Sequence, residues 1–272
     1  MNAIRVRGLR KSYGDYPAVA GVDLDVATGE VFALLGPNGA GKSTTVEILE
    51  GLRRRDAGEV SVLGVDPATA PRAWRSAIGI VRQTATDLAE TTVVEAVRHF
   101  TGYYPDPRDP DEVVELVGLT DQRDVRAGRL SGGQRRRLDV ALGIVGRPRL
   151  LFLDEPTTGF DPEARRRFWE LVRLLAREGS TILLTTHYLD EVEALADRLA
   201  VVDAGRVVAE GTPATLGGRH LAQAVVSWVD AAGPRSHRTD RPAALVGRIG
   251  EVPELTVTRP SLEDVYLELI GR

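Results

Sequence analysis

The chain has 272 residues, 43% hydrophobic and 27% charged, with a net charge of −4, so a core is affordable and a general nucleic-acid binder with a basic excess is disfavoured. Cysteine is absent, which excludes disulfides, thiolate chemistry and cysteine-based metal sites. The start "MNAIRVRG" has no apolar signal-peptide core, and no apolar run approaches the roughly 18 to 20 residues of a spanning helix, so work at a membrane requires a separate spanning partner.

In chain order, "AIRVRGL" and "GVDLDVA" alternate apolar and polar residues and predict half-exposed strands. "EVFALLG" is denser, as in a strand buried on both faces, and it runs straight into "GPNGAGKST". "STTVEILEGL" predicts a helix ending at Gly51, and "GEVSVLG" and "AIGIVRQ" predict further strands. Between about Thr84 and Pro148 helical patterns dominate ("TTVVEAVRHF", "PDEVVELVGL", "SGGQRRRLDVALGIV"), broken by the proline-rich "YYPDPRDP". Strands resume with "RLLFLDE", "STILLTT", "RLAVVDA" and "RVVAEGT", alternating with helices at "PEARRRFWELVRLLAREG" and "YLDEVEALAD". That alternation implies a largely parallel sheet. Residues 1–217 therefore read as one α/β domain with a helical insertion over about 84–148. Residues 218–272 form a small extension with strand-like "AQAVVSWVD" and "ELTVTRP" and a last helix, "SLEDVYLELI", capped by Ser261 with Asp264.

Two of the 35 basic residues are lysine, Lys11 and Lys42, and Lys42 sits inside the glycine-rich loop. "GPNGAGKS" fits G-x-x-x-x-G-K-[ST] between a predicted strand and a predicted helix, the context that motif needs. Gly36, Gly39 and Gly41 let successive N–H groups turn toward an anion, and the helix N-terminus adds its dipole. Lys42 supplies a point charge on a slim stem where arginine's planar fork would not fit, and Ser43 offers a hydroxyl to Mg²⁺. "LLFLDEP" puts Asp154 and Glu155 at the carboxyl end of a buried strand, where ligands of open α/β sheets bind. Asp154 is the expected Mg²⁺-associated acid and Glu155 the group that polarises the attacking water. In "RLSGGQRRRLDVAL", Ser131, Gly132 and Gly133 open a helix with a second anion-seeking N-terminus, and Arg135 to Arg137 read as a solvated or phosphate-leaning helix face.

"LSGGQ" is also the signature of the ATP-binding cassette (ABC) family, and the chain resembles an ABC ATPase from about residue 3 to about residue 215. Its motifs come in the family's order. The implied fold is a P-loop NTPase of ABC type, with a mostly parallel core sheet, an N-terminal antiparallel part, a helical insertion and a small C-terminal α+β extension. The resemblance implies that Tyr13 in "KSYG" stacks on adenine, that Asn38 and Thr44 complete the phosphate loop, and that Gln83 in "VRQ" is the Q-loop glutamine touching Mg²⁺ and water. It further implies that Ser131, Gly132, Gly133 and Gln134 meet the nucleotide, that Asp161 in "TGFD" belongs to the D-loop, and that His187 in "TTHY" is the switch histidine. Lys42, Gln83, Glu155 and His187 are then the catalytic group, with ATP and Mg²⁺ as cofactors.

"TTGFDPEARRRFW", "EVEALADRLAVVDAGRVVAEGTP" and the ending "SLEDVYLELIGR" resemble ATP-binding subunits of drug and antibiotic exporters of the daunorubicin-resistance type. That branch implies an ATP-dependent homodimer at the cytoplasmic face of the membrane, driving a separate polytopic permease, with no nucleic acid involved. The competing readings are a soluble ABC ATPase acting on ribosomes or DNA, and a nucleotide-binding scaffold without catalysis. The first usually carries paired cassettes, coiled coils or zinc modules, and the second would suit a missing Glu155 or His187.

Overall fold

The computed structural model describes residues 1–82, 88–230 and 232–271. Strands β1 (Asn2–Tyr13) and β2 (Tyr16–Ala27) pair antiparallel through a tight turn at Gly14, which takes φ +58°. After β3 (Val31–Leu35) and α1 (Lys42–Leu49), strand β4 (Ala57–Val62) returns to the other edge of β1, completing a small antiparallel sheet in the order β2-β1-β4. Its inward residues, among them Ile4, Val6, Leu24 and Val62, are fully buried, as the alternation in the sequence requires.

The second sheet adds β5 (Ile78–Val81), β6 (Leu150–Asp154), β7 (Thr181–Thr186), β8 (Arg198–Asp203) and β9 (Arg206–Gly211), in the order β5-β6-β7-β3-β8-β9. All its pairings are parallel except β8 with β9, which form a hairpin. The carboxyl ends of β3, β5, β6 and β7 therefore emerge at one edge, and the site is built there.

Side chains of the central strands point alternately to two cores. Phe32, Leu34, Phe152 and Leu183 face the antiparallel sheet and α1. On the other face Val31, Leu151, Leu153, Ile182 and Leu184 meet α6 (Pro162–Arg177) and the helical insertion. That insertion comprises α3 (Val93–Thr101), α4 (Pro110–Leu116) and α5 (Gly132–Ile144), following the short α2 (Arg72–Arg75). Helix α6 shows why it folds there: Phe168, Leu171, Val172 and Leu175 recur at helical spacing and are buried.

A third core joins Ala33, Leu35, Leu199 and Val201 to α7 (Leu189–Leu195) and to the last helix, α9 (Leu262–Ile270). Ser261 caps α9 and forms the expected capping box with Asp264. Between α7 and α9, strands β10 (Ala224–Asp230), β11 (Gly233–Thr239) and β12 (Thr256–Thr258) make the third sheet, which is antiparallel, with α8 (Pro242–Ile249) beside β10. The sequence pattern anticipated β10, β12 and α9 but not β11 or α8. The physical reason is burial: β11 has no buried residue and so carries no apolar period.

Candidate active site

Strand β3 delivers the chain into the phosphate loop, and hairpin β8–β9 braces that loop from behind. Gly205 N donates to Ala40 O at 3.0 Å, and a Cβ on Gly36 would lie 2.2 Å from Val202 O. At Gly41, the N-cap of α1, φ is +98°, and a Cβ would stand 2.2 Å from Ala18 O. No other residue fits those two positions without moving backbone, so the loop's shape is set by packing before any ligand arrives.

Lys42 is only 6% exposed. Its Nζ donates to Gly36 O at 2.7 Å and Pro37 O at 3.0 Å, curling the ammonium under its own loop. Burial pulls the pKa of this amine down, while the charges of Glu155 and Asp154 oppose that shift. Tyr13, Tyr16, Ala18, Asn38, Gly39, Gly41, Lys42, Ser43, Thr44 and Glu155 line a cavity of about 230 Å³. Tyr16 is an addition to the residues expected from sequence: its hydroxyl donates to Gly39 O at 3.1 Å, tying β2 to the loop. Tyr13 is exposed at the rim, with the Arg53 guanidinium 5.2 Å from its ring centroid.

At the end of β6, Asp154 accepts a hydrogen bond from the Thr185 hydroxyl of the neighbouring strand. Glu155 N donates to Thr185 O at 3.1 Å, and its φ of +45° is a left-handed conformation that costs a β-carbon-bearing residue about 1 to 3 kcal/mol. The turn is held by Arg136, which is 8% exposed and donates to the carbonyls of Arg82, Asp154, Pro156 (3.1 Å) and Glu155 (3.2 Å). Arg136 is thus a correction to the expectation of a solvated or phosphate-leaning arginine face. It shares the buried stripe of α5 with Val140 and Gly143, at i, i+4 and i+7, which is the signal that marks it.

His187 follows β7, and its Nδ1 lies 3.3 Å from Glu155 Oε1. Its ring packs on Tyr188, with centroids 4.0 Å apart. The expected Gln83 lies outside the described residues.

The remaining expected residues stand apart from the cavity. Ser131 caps α5 in a reciprocal box with Gln134, at 3.3 Å and 2.9 Å. A Cβ on Gly132 or Gly133 would meet nothing within 4 Å. Asp161 caps α6, accepting from Glu163 N and Ala164 N at 2.9 and 2.8 Å, and these backbone donors help hold its pKa below the usual carboxylate range.

Glu50 was missed by the sequence reading. It ends α1, is 5% exposed, and lines a groove of about 560 Å³ with Arg82, Phe100, Tyr104 and Asp139. Burial pushes its pKa up to about 7; Arg82 opposes the shift, and Asp154 and Glu47 add to it. A folded-state pKa above the unfolded value stabilises the fold at low pH, and the benefit is lost as pH rises through about 7. Urea unfolding should therefore show Glu50→Gln gaining on the wild type by on the order of 3 kcal/mol between pH 4.5 and pH 8. A pH-independent difference between the two proteins would mean the carboxyl does not titrate there.

Among the described residues no group of three His, Asp or Glu side chains is placed to hold a metal. The expected Mg²⁺ residues, Ser43 and Asp154, offer a hydroxyl and a carboxylate, the oxygen chemistry this ion takes. It is a hard cation that takes oxygen ligands, usually one or two carboxylates completed by substrate phosphates and water. No helix among the described residues is long and apolar enough to cross a membrane.

Comparison with known proteins agrees with this geometry. The family model described as ABC transporter matches residues 19–158. Nod factor export ATP-binding protein I of Rhizobium sp. (strain N33) is 40% identical, over 99% of this chain and 97% of its own length. The daunorubicin/doxorubicin resistance ATP-binding protein DrrA of Streptomyces peucetius is also 40% identical, over 99% of this chain and 92% of its own. A solved structure of an ATP-binding subunit of an ABC transporter superposes with a TM-score of 0.74 at 25% identity, covering 98% of this chain and 99% of that one.

Proposed function

We propose a function on the premise that this chain belongs to the ABC transporter family and is an ATP hydrolase. It works as the ATP-binding subunit of an exporter, on the cytoplasmic face of a membrane, driving a separate permease through ATP-dependent dimerisation. The cargo is a drug, an antibiotic or another hydrophobic compound, in keeping with the two relatives named for export and drug resistance.

The observation that carries this reading is the division of the site. The cavity holds the phosphate loop, Lys42 and Glu155, while the exposed N-terminus of α5 lies elsewhere in the same chain. Among the described residues nothing crowds positions 132 and 133, where a side chain would find open space. A ligand brought by a second copy fills that space: the nucleotide on one chain meets Ser131, Gly132, Gly133 and Gln134 of the other. Asp161, exposed at the start of α6, belongs to the same face between copies.

In the ATP complex the loop amides and Lys42 hold the β- and γ-phosphates, with Asn38 and Thr44 completing the cradle and Tyr13 beneath the base. Mg²⁺, held by Ser43 and Asp154 with Gln83, would neutralise phosphate charge. Glu155 orients and polarises the attacking water, and His187 holds the γ-phosphate geometry. Positioning and electrostatics of this kind supply most of the catalysis of phosphoryl transfer. The groove at Glu50, Arg82 and Phe100 receives a segment of the permease, beside the helices of the insertion. Residues 1–217 form the nucleotide-binding unit, and 218–272 form an extension braced through α9.

The test is capture of a tagged Glu155→Gln form, from its own cells, in ATP and Mg²⁺ out of detergent-solubilised membranes. A polytopic membrane protein in near-equal amount is the expected companion. Ribosomes, nucleic acid or a soluble companion in its place would sink the transport reading and leave the ATPase.

A further inference from the structure

Glu191, on α7, is fully buried, a rare condition for a carboxyl. Burial raises its pKa; the side chains of Thr186, Thr157 and Trp169 present donors that oppose the shift, and Asp190 adds to it. The geometry is looser than that of full hydrogen bonds. Both carboxyl oxygens, Thr157 Oγ1 and Trp169 Nε1 are all shielded from water and short of a complete partner. A buried polar group left without its hydrogen bond is costly, so the cluster is under pressure to close.

The three donors come from segments that matter. Thr186 ends β7, next to His187, and its hydroxyl also accepts from Tyr188 N at 3.0 Å, across the turn that carries the histidine. Thr157 lies two residues beyond Glu155, in the segment whose carbonyls Arg136 gathers. Trp169 is on α6, the helix behind both. One carboxyl thus faces the backbone supports of the two side chains that meet at 3.3 Å.

We propose that Glu191 is a positioning residue for ATP hydrolysis, its carboxyl tying the His187 turn to the segment after Glu155 and so fixing the distance between them. It touches neither nucleotide nor water. The proposal rests on the reading of Glu155 and His187 as the hydrolytic pair, and a misplacement of about 1 Å at such a pair costs up to roughly a hundredfold in rate.

The test measures ATP turnover and ATP affinity separately in the full chain. Glu191→Leu should lose roughly ten- to hundredfold in kcat, with the ATP dissociation constant within about twofold of wild type. Glu191→Gln, which keeps an acceptor oxygen in the same place, should recover most of that loss. Added to His187→Ala, the leucine change should cost less than about twofold more, because both act through one group. Thr157→Val, nearly isosteric, removes a donor without touching α7, and should reproduce the kcat loss even if Glu191→Leu folds poorly. Equal losses in kcat and affinity, failure of glutamine to rescue, or full additivity with His187→Ala would overturn the proposal. If His187→Ala alone leaves turnover intact, the underlying reading of the pair is at fault instead.

Discussion

Glu155→Gln should lower ATP turnover by roughly 10² to 10⁴ while ATP still binds, because it removes a positioned proton acceptor and little else. Glutamine is the same shape, and the backbone that places residue 155 is held by groups the change leaves alone. Thr185 O accepts from its N–H at 3.1 Å, and Arg136 donates to its carbonyl at 3.2 Å. The strained φ of +45° is therefore retained, and the amide still points into the loop cavity. ATP that binds without being split should hold two chains together. The variant should then run as a dimer with ATP and Mg²⁺ and as a monomer without nucleotide, read by size-exclusion chromatography alongside phosphate release. Wild-type turnover in this variant would show that another group activates the water.

Much of the site was legible in the sequence because it is local in the chain. The phosphate loop is contiguous, its lysine is one of only two, and the carboxylates close a recognisably buried strand. Capping is local as well: the Ser261–Asp264 box stands where three-residue spacing put it, and Ser131 opens α5 as expected. What escaped is what depends on sheet order. Arg136 reaches carbonyls 18 to 54 residues away, which become neighbours only when β5 and β6 pair side by side. Glu50 and Glu191 look like ordinary helix-surface acids in sequence. They are buried only because the helical insertion covers one, and the other is packed toward Trp169 of α6. Asp161 shows the limit in the other direction, since its capping bonds give it a structural role that its motif does not announce.

Arg136→Met should destabilise the fold by about 3 kcal/mol and lower turnover at least roughly tenfold, a pairing of effects that separates it from an ordinary core change. Methionine fills the space and adapts to it, so the loss reports on hydrogen bonding more than on volume. Without the guanidinium, the carbonyls of Arg82, Asp154, Glu155 and Pro156 lose a shared donor in a buried place. The left-handed turn at Glu155 then has one support fewer against its conformational cost, and the carboxyl drifts from His187. Burial lowers the pKa of Arg136, with Asp139, Asp154, Glu155 and Glu191 opposing that shift, yet a guanidinium stays charged at any working pH. Arg136→Lys should therefore fail to rescue, because a single ammonium cannot span four carbonyls set around a planar fork. Urea unfolding and steady-state phosphate release on the three proteins decide the matter. A methionine variant within about 1 kcal/mol of wild type and fully active would reduce Arg136 to filler and leave Thr185 as the anchor of the turn.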